Sequence, residues 1–271
     1  MRRRTMAICR MASLAAAALL AAWPAGSYPG GTPEFQTDVA PFCAGCHASL
    51  TADAMAGSGD RAEKETAAKK HYALILAGQE PYQKLAEADR AKLVEHLKAV
   101  DANASVELEF PPQVEKGQTF QVTARLTGGA GPAVAVALVD RPNRRFAKPA
   151  SAAGWVVVGA PSIIGPDGRP QTGWLDRRPE RDGRNISFVN VTGVDSDAVA
   201  GRWSKAKVIW SLKAPDKAGD YPLVAAFFYG TETASPLGTV KHPVYGKQPR
   251  GGFLGKSGRV LFSDPEVISV K

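Results

Sequence analysis

Two hydrophobic periods divide the chain. Leu93, Val94, Leu97 and Val100 recur at i, i+1, i+4 and i+7, the apolar stripe of a helix running on from about Leu85. An earlier helix is predicted from about Arg61 to Ala77, stopped by Gly78 with Pro81 just beyond. Past Asn103 the period becomes two, first in Val106 to Phe110 and then in Phe120 to Leu126. Further strand-like runs are Ala133 to Val139, Trp155 to Gly159, Asn185 to Val191, Lys207 to Leu212, Leu223 to Tyr229 and Arg259 to Phe262. Gly and Pro punctuate these runs, as they do in sandwiches. The expected fold class is multi-domain: a small all-α domain over 34–102, then an all-β sandwich over 103–271.

The N-terminus changes how the charge is read. Residues 1–27 have the form of an export signal, with basic Arg2 to Arg4 and Arg10, an apolar run from Ala12 to Trp23, and small residues at Ala25 to Ser27. That run is short for a permanent membrane anchor. Residues 28–33 read as a linker. The whole chain has 34 Lys plus Arg against 26 Asp plus Glu, a formal +8. Removing the signal's four arginines leaves 30 bases against 26 acids, about +4. So mild a charge gives no reason to expect a nucleic-acid partner. An ordinary 44% hydrophobic and 22% charged composition also excludes a mainly disordered chain and a polytopic membrane protein.

Chemistry concentrates in Cys43-Ala-Gly-Cys46-His47. The chain has three cysteines, and Cys9 leaves with the signal, so both others lie in this pentapeptide. On a helix, Cys43 and Cys46 at i, i+3 put both sulfurs on one face. That spacing suits thioether bonds to the two vinyl groups of one heme, with His47 placed to bind its iron. Three other readings compete with it. A thioredoxin-like pair needs a βαβ setting, which is not predicted here. A structural zinc site needs about four ligands, and there is no second cysteine pair. A disulfide is sterically poor for a helical Cys-x-x-Cys. Export favours covalent heme c, which is attached outside the cytoplasm.

With these residues in view, 34–102 resembles a small class I cytochrome c domain. Phe35 to His47 is similar to its N-terminal helix and heme-binding turn, and Leu85 to Leu97 to its C-terminal helix. The resemblance implies Cys43 and Cys46 as covalent heme attachments and His47 as an axial iron ligand. In that family a Met-Pro pair supplies the second axial ligand, but here Glu80 stands before Pro81. Met55 is the one methionine beyond the signal and lies eight residues past His47, better placed as apolar filler. His71, in line with Ala67, Leu74 and Gly78 on the middle helix, is the candidate second axial ligand. His96 borders the apolar face of the last helix and is expected to pack, and His242 is expected in a loop. An open sixth position is the remaining possibility.

The β-region resembles immunoglobulin-like sandwiches at Lys213 to Leu223, where a Gly-x-Tyr places Tyr221 to pin the preceding corner. Asp182 to Phe188, Trp210 and Tyr229 to Glu232 also resemble reeler-type sandwiches that follow a Cys-x-x-Cys-His segment in exported bacterial proteins. Trp210 is expected in the core. No Ser/His/Asp set stands out, and no catalytic residue is assigned. Basic loops at Arg141 to Lys148 and Arg177 to Arg184 read first as solvated charge. The sequons at Asn185 and Asn190 lie on a predicted strand.

The functional expectation is therefore an exported, periplasmic monoheme c-type cytochrome, an electron carrier more than a catalyst. It would bind one covalently attached heme c with its iron and exchange single electrons with a periplasmic or membrane-associated redox protein. No transmembrane segment is expected in the mature chain. Two alternatives stand beside it: a heme-based sensor or gas-binding module with an open sixth iron position, and a non-catalytic heme subunit of a larger oxidoreductase.

Overall fold

The computed structural model describes residues 67–143, 147–173, 188–243, 246–251 and 257–271. Along Thr119–Thr127, Phe120, Val122, Ala124 and Leu126 are buried while the residues between them are more open, the two-residue period of a strand with one face on a core. The described strands are β1 (Ser105–Glu109), β2 (Gln113–Val114), β3 (Thr119–Thr127), β4 (Ala130–Val139), β5 (Val156–Val157), β6 (Ser162–Ile164) and β7 (Phe188–Asp195). They continue with β8 (Lys205–Lys213), β9 (Gly219–Gly230), β10 (Thr239–His242), β11 (Gly246–Pro249), β12 (Gly258–Phe262) and β13 (Glu266–Val270).

These strands make two principal sheets. One runs β1-β3-β8-β5, with β6 also on β8, and the other runs β2-β13-β9-β4-β7, with β12 also on β9. Strands β10 and β11 form a separate hairpin. The core draws Val122, Trp210 and Leu212 from the first sheet and Val136, Phe227 and Ile268 from the second. Central β4 and β9 lose the alternation. Val134 to Leu138 and Leu223 to Phe228 are buried without a break, as in strands covered on both faces.

Two local devices complete the sandwich. Trp155 sits edge-on to Phe120 and Tyr221, at 5.5 and 5.7 Å between centroids, and donates its indole N–H to the Pro222 carbonyl at 3.0 Å. The Tyr221 hydroxyl donates to the Lys217 carbonyl at 2.9 Å, the corner pin expected of its Gly-x-Tyr. On edge strand β7, the Gln171 amide takes the part of a neighbouring strand. Its Oε1 accepts from the Thr192 N–H at 2.9 Å, and its Nε2 donates to the Thr192 carbonyl at 3.0 Å.

The helical part departs from expectation. Residues Ala67–Tyr72 form a π-helical stretch that runs into helix α1 (Ala73–Leu76), and α2 covers Glu87–Ala102. Gly78, at φ +61°, ends the first helical segment, and its N–H reaches the Ile75 carbonyl. The expected all-α cytochrome c-like domain is overturned: the described residues are mainly strand, and these helices pack on the sandwich. The reason lies in the size of the apolar face. Ile75, Tyr82, Leu93, Val94 and Leu97 cluster together, but the cluster also takes Leu237 from the β-region, and Val100 belongs to the sandwich core. Among the described residues these five buried side chains are too few for a separate core, so the described helices complete theirs against the sheets.

Smaller corrections follow the same logic. Trp155 to Gly159 narrows to the two-residue β5, and His242 lies on β10 where a loop was expected. The short strands β2, β6, β10, β11 and β13 were not anticipated, being too brief or too polar to show a period. Asn190 is buried on β7, which removes it as a glycan acceptor, while Asn185 lies outside the described residues. Asp140 organises the described part of the first basic loop: it pairs with Arg141 at 2.7 Å and accepts the Lys148 N–H at 2.7 Å. Arg177 to Arg184 lies outside the described residues.

Leu97 is fully buried between α2 and the β-region, so Leu97→Ala should cost about 2–5 kcal/mol in urea unfolding. Tyr221→Phe, which removes one hydrogen bond to a carbonyl, should cost about 1 kcal/mol in the same assay.

Candidate functional site

Cys43, Cys46 and His47, expected to hold the heme and its iron, lie outside the described residues, as does Met55. His71 lies within them, and its surroundings are the most chemically distinctive part of the described structure. Glu80, which precedes Pro81, is exposed.

His71 comes from the π-helical stretch, Tyr82 from the turn after α1, and Asp101 from the end of α2. The β-region contributes Tyr229 from β9, Glu232 from the 3-10 turn after it, and Arg259 from β12. His71, Tyr82 and Glu232 are fully buried, and Arg259 is 1% exposed. The helices therefore meet the sandwich through a dry polar seam beside their apolar contact.

The hydrogen bonds set the protonation of His71. Arg259 Nη2 lies 3.0 Å from His71 Nδ1, and a guanidinium can only donate, so Nδ1 carries the lone pair. The ring proton is then on Nε2, which lies 3.2 Å from Glu232 Oε1 and 3.1 Å from the Tyr82 hydroxyl. Tyr82 donates to Glu232 Oε1, and the Gly251 N–H donates to Oε2, so Glu232 accepts at both oxygens. On the other side of the guanidinium, Arg259 Nε lies 3.1 and 3.2 Å from the two Asp101 oxygens. Asp101 also accepts from Tyr72 and, at 3.2 Å, from Tyr229. The Arg259 guanidinium lies over the Tyr72 ring, 5.6 Å from its centroid.

Burial governs the titration of these groups. Desolvation pushes the His71 pKa below 6.5; the Arg259 charge adds to that, while the hydrogen bond to Glu232 opposes it. Desolvation, then the nearby carboxylate charges, hold the Tyr82, Tyr72 and Tyr229 hydroxyls protonated well above the usual phenol range. For Arg259 burial works most strongly against the charge, but Asp101, Tyr72 and Tyr229 together outweigh it and keep the guanidinium ionised.

The arrangement is closed. Its polar atoms answer one another, so its chemistry is recognition between two parts of one chain. His71 is brought to the seam with both ring nitrogens engaged, and an iron bond would require the lone pair that Arg259 holds. His96 packs at the same boundary, with Nδ1 2.9 Å from the Ser235 hydroxyl. Among the described residues no cluster of three or more His, Cys, Asp or Glu could hold a metal ion. An open groove of about 630 Å³ lies on the first sheet, lined by Arg125, Lys205, Lys207 and Glu107 and by the turn at Gly165 to Gly168. Arg125 is already paired with Glu109.

Sequence reasoning missed Arg259, Glu232, Asp101 and the tyrosines as members of one site. Arg259 and His71 are 188 residues apart, and no local spacing joins them.

Removing one member of a buried charged network leaves the others unpaired, so Glu232→Ala should lower unfolding stability by about 3–5 kcal/mol. The pH dependence has a definite sign. The unfolded chain binds a proton at His71 more readily than the folded one, so stability is kept above about pH 6.5 and falls as pH drops below it. One such proton contributes at most about 1.4 kcal/mol per pH unit. His71→Gln, which keeps a donor and an acceptor but cannot titrate, should flatten the fall in Tm between pH 7 and pH 5.

Compared with known protein families and with curated proteins, the chain matches no family model and no curated protein, so its function is read from its own residues.

Proposed function

We propose that this chain is an exported monoheme c-type electron carrier. The observation that carries the reading is Cys43-Ala-Gly-Cys46-His47, which holds both cysteines remaining beyond the export signal. The donor set fits the group: two thiols at i, i+3 for the vinyl carbons and an adjacent imidazole for the iron. When bound, heme c supplies one-electron Fe(III)/Fe(II) cycling.

The chain's own residues divide the remaining work. Cys43 and Cys46 tether the group covalently, and His47 gives its imidazole to the iron. The segment following the motif leads into the π-helical stretch at Ala67, and the polar seam holds that stretch against the sandwich. The sandwich thus holds the stretch at Ala67 from which the chain runs back in sequence to the motif. The partner is a periplasmic or membrane-associated redox protein. Among the described residues no helix is long and apolar enough to cross a membrane.

Expression in cells competent for c-type heme maturation tests this. The purified protein should give the pyridine hemochrome band of a heme with two saturated vinyl groups, and Cys43→Ala with Cys46→Ala should abolish it. A heme-free wild-type product would sink the reading.

A further inference from the structure

The outer face of the first sheet carries its charges strand by strand. Glu107 on β1 stands opposite Arg125 on β3, and Arg125 stands opposite Lys207 on β8. Lys205, two residues back along β8, shares that face and stands opposite Thr127. Like charges opposite one another are unfavourable in a sheet, so each cation gains from an anion. Arg125 has one: its Nη2 donates to Glu109 Oε2 at 2.8 Å, and its Nε donates to Oε1. Lys205, exposed, and Lys207, half-buried, form no hydrogen bond and no ion pair within 4.0 Å among the described residues. Lys207 acts on Glu109 only through its field. With Arg125 and Glu109 cancelling each other, the groove of about 630 Å³ keeps Lys205 and Lys207 against Glu107.

The wall and floor of the groove are fixed. Ile164 stands opposite Lys207, and the turn after it is closed by the Gly168 N–H on the Gly165 carbonyl at 3.0 Å and the Gly165 N–H on the Arg169 carbonyl at 2.9 Å. At Lys207, β8 is paired with β3 on one side and β6 on the other, so only side chains are left to bind. Two residues of extended strand put Lys205 and Lys207 about 7 Å apart, too far for one small anion to meet both closely. Two carboxylates at alternate positions of another extended chain have the same spacing, because both chains have the same rise. No aromatic ring among the described residues lines the groove, so a sugar ring has no face to stack on.

We propose that this groove docks an extended acidic segment of a partner protein, lying along β8 with carboxylates at alternate positions on Lys205 and Lys207. Glu107 repels such a segment from β1 and keeps it over β8. The proposal goes beyond the heme reading and stands without it.

The experiment is fluorescence anisotropy of two labelled peptides of equal composition, titrated with the full chain at low ionic strength, where screening is weak. One peptide alternates Glu and Ser. The other alternates Glu-Glu and Ser-Ser pairs, so that no two glutamates are two residues apart. The alternating peptide should bind about threefold or more tightly than its isomer, the worth of one exposed ion pair. Lys205→Gln and Lys207→Gln should each weaken it about threefold to fivefold. Glu107→Gln should tighten it, and Lys213→Gln, on the same strand but outside the groove, should leave it unchanged. Backbone amide shifts of the wild-type protein on adding the alternating peptide need no variant, and should fall on β8 and the turn at Gly165 to Gly168. Equal binding of the two peptides, binding that survives loss of both lysines, shifts confined to other strands, or no binding overturns the proposal. Binding of an oligogalacturonate where the alternating peptide fails also overturns it and gives the groove to an acidic polysaccharide.

Discussion

Arg259 is a guanidinium removed from water, and most of what joins the helices to the sheets follows from the need to satisfy it. Its Nε faces the Asp101 carboxylate, Nη2 faces His71, and Nη1 lies 3.2 Å from the Gly258 carbonyl. Each partner then needs partners of its own. His71 turns its proton to Glu232, Glu232 collects Tyr82 and the Gly251 N–H, and Asp101 collects Tyr72 and Tyr229. A charge so placed contributes little net stability compared with well-packed apolar groups. What it imposes is register: a helix rotated or slid along the sandwich would leave several groups buried and unpaired.

The apolar contact alone would not do this. Leu93, Val94 and Leu97 form a smooth stripe that could slide against Leu237 and its neighbours with modest loss. Hydrophobic attraction is non-directional, whereas hydrogen bonds to a planar guanidinium hold only in one geometry. The two kinds of contact thus divide the work. Burial of the stripe supplies the driving force, and the polar seam selects the pose.

Legibility followed the range of the determining interaction. The long strands β3 and β8 and helix α2 were readable because period two and period 3.6 are written within a dozen residues, and β9 because its core is an unbroken apolar run. The corner at Tyr221 was readable because its acceptor, Lys217, lies four residues away. The two-residue strands were not, since β2 and β5 exist only where a longer partner offers a free edge. The helical region was misjudged as a domain of its own because amphipathicity shows that a face will be buried without naming what buries it.

The chain's sequence by itself determined the longer strands, helix α2 and the Cys43–Cys46–His47 motif on which the proposed function rests. Those properties depend on neighbours a few residues apart. Only the tertiary structure decided that α2 docks on the sandwich and that His71 spends its lone pair on Arg259. Both outcomes depend on bringing together side chains from residue 71 to residue 259, and no periodicity or motif encodes a contact that exists only once the sheets have closed.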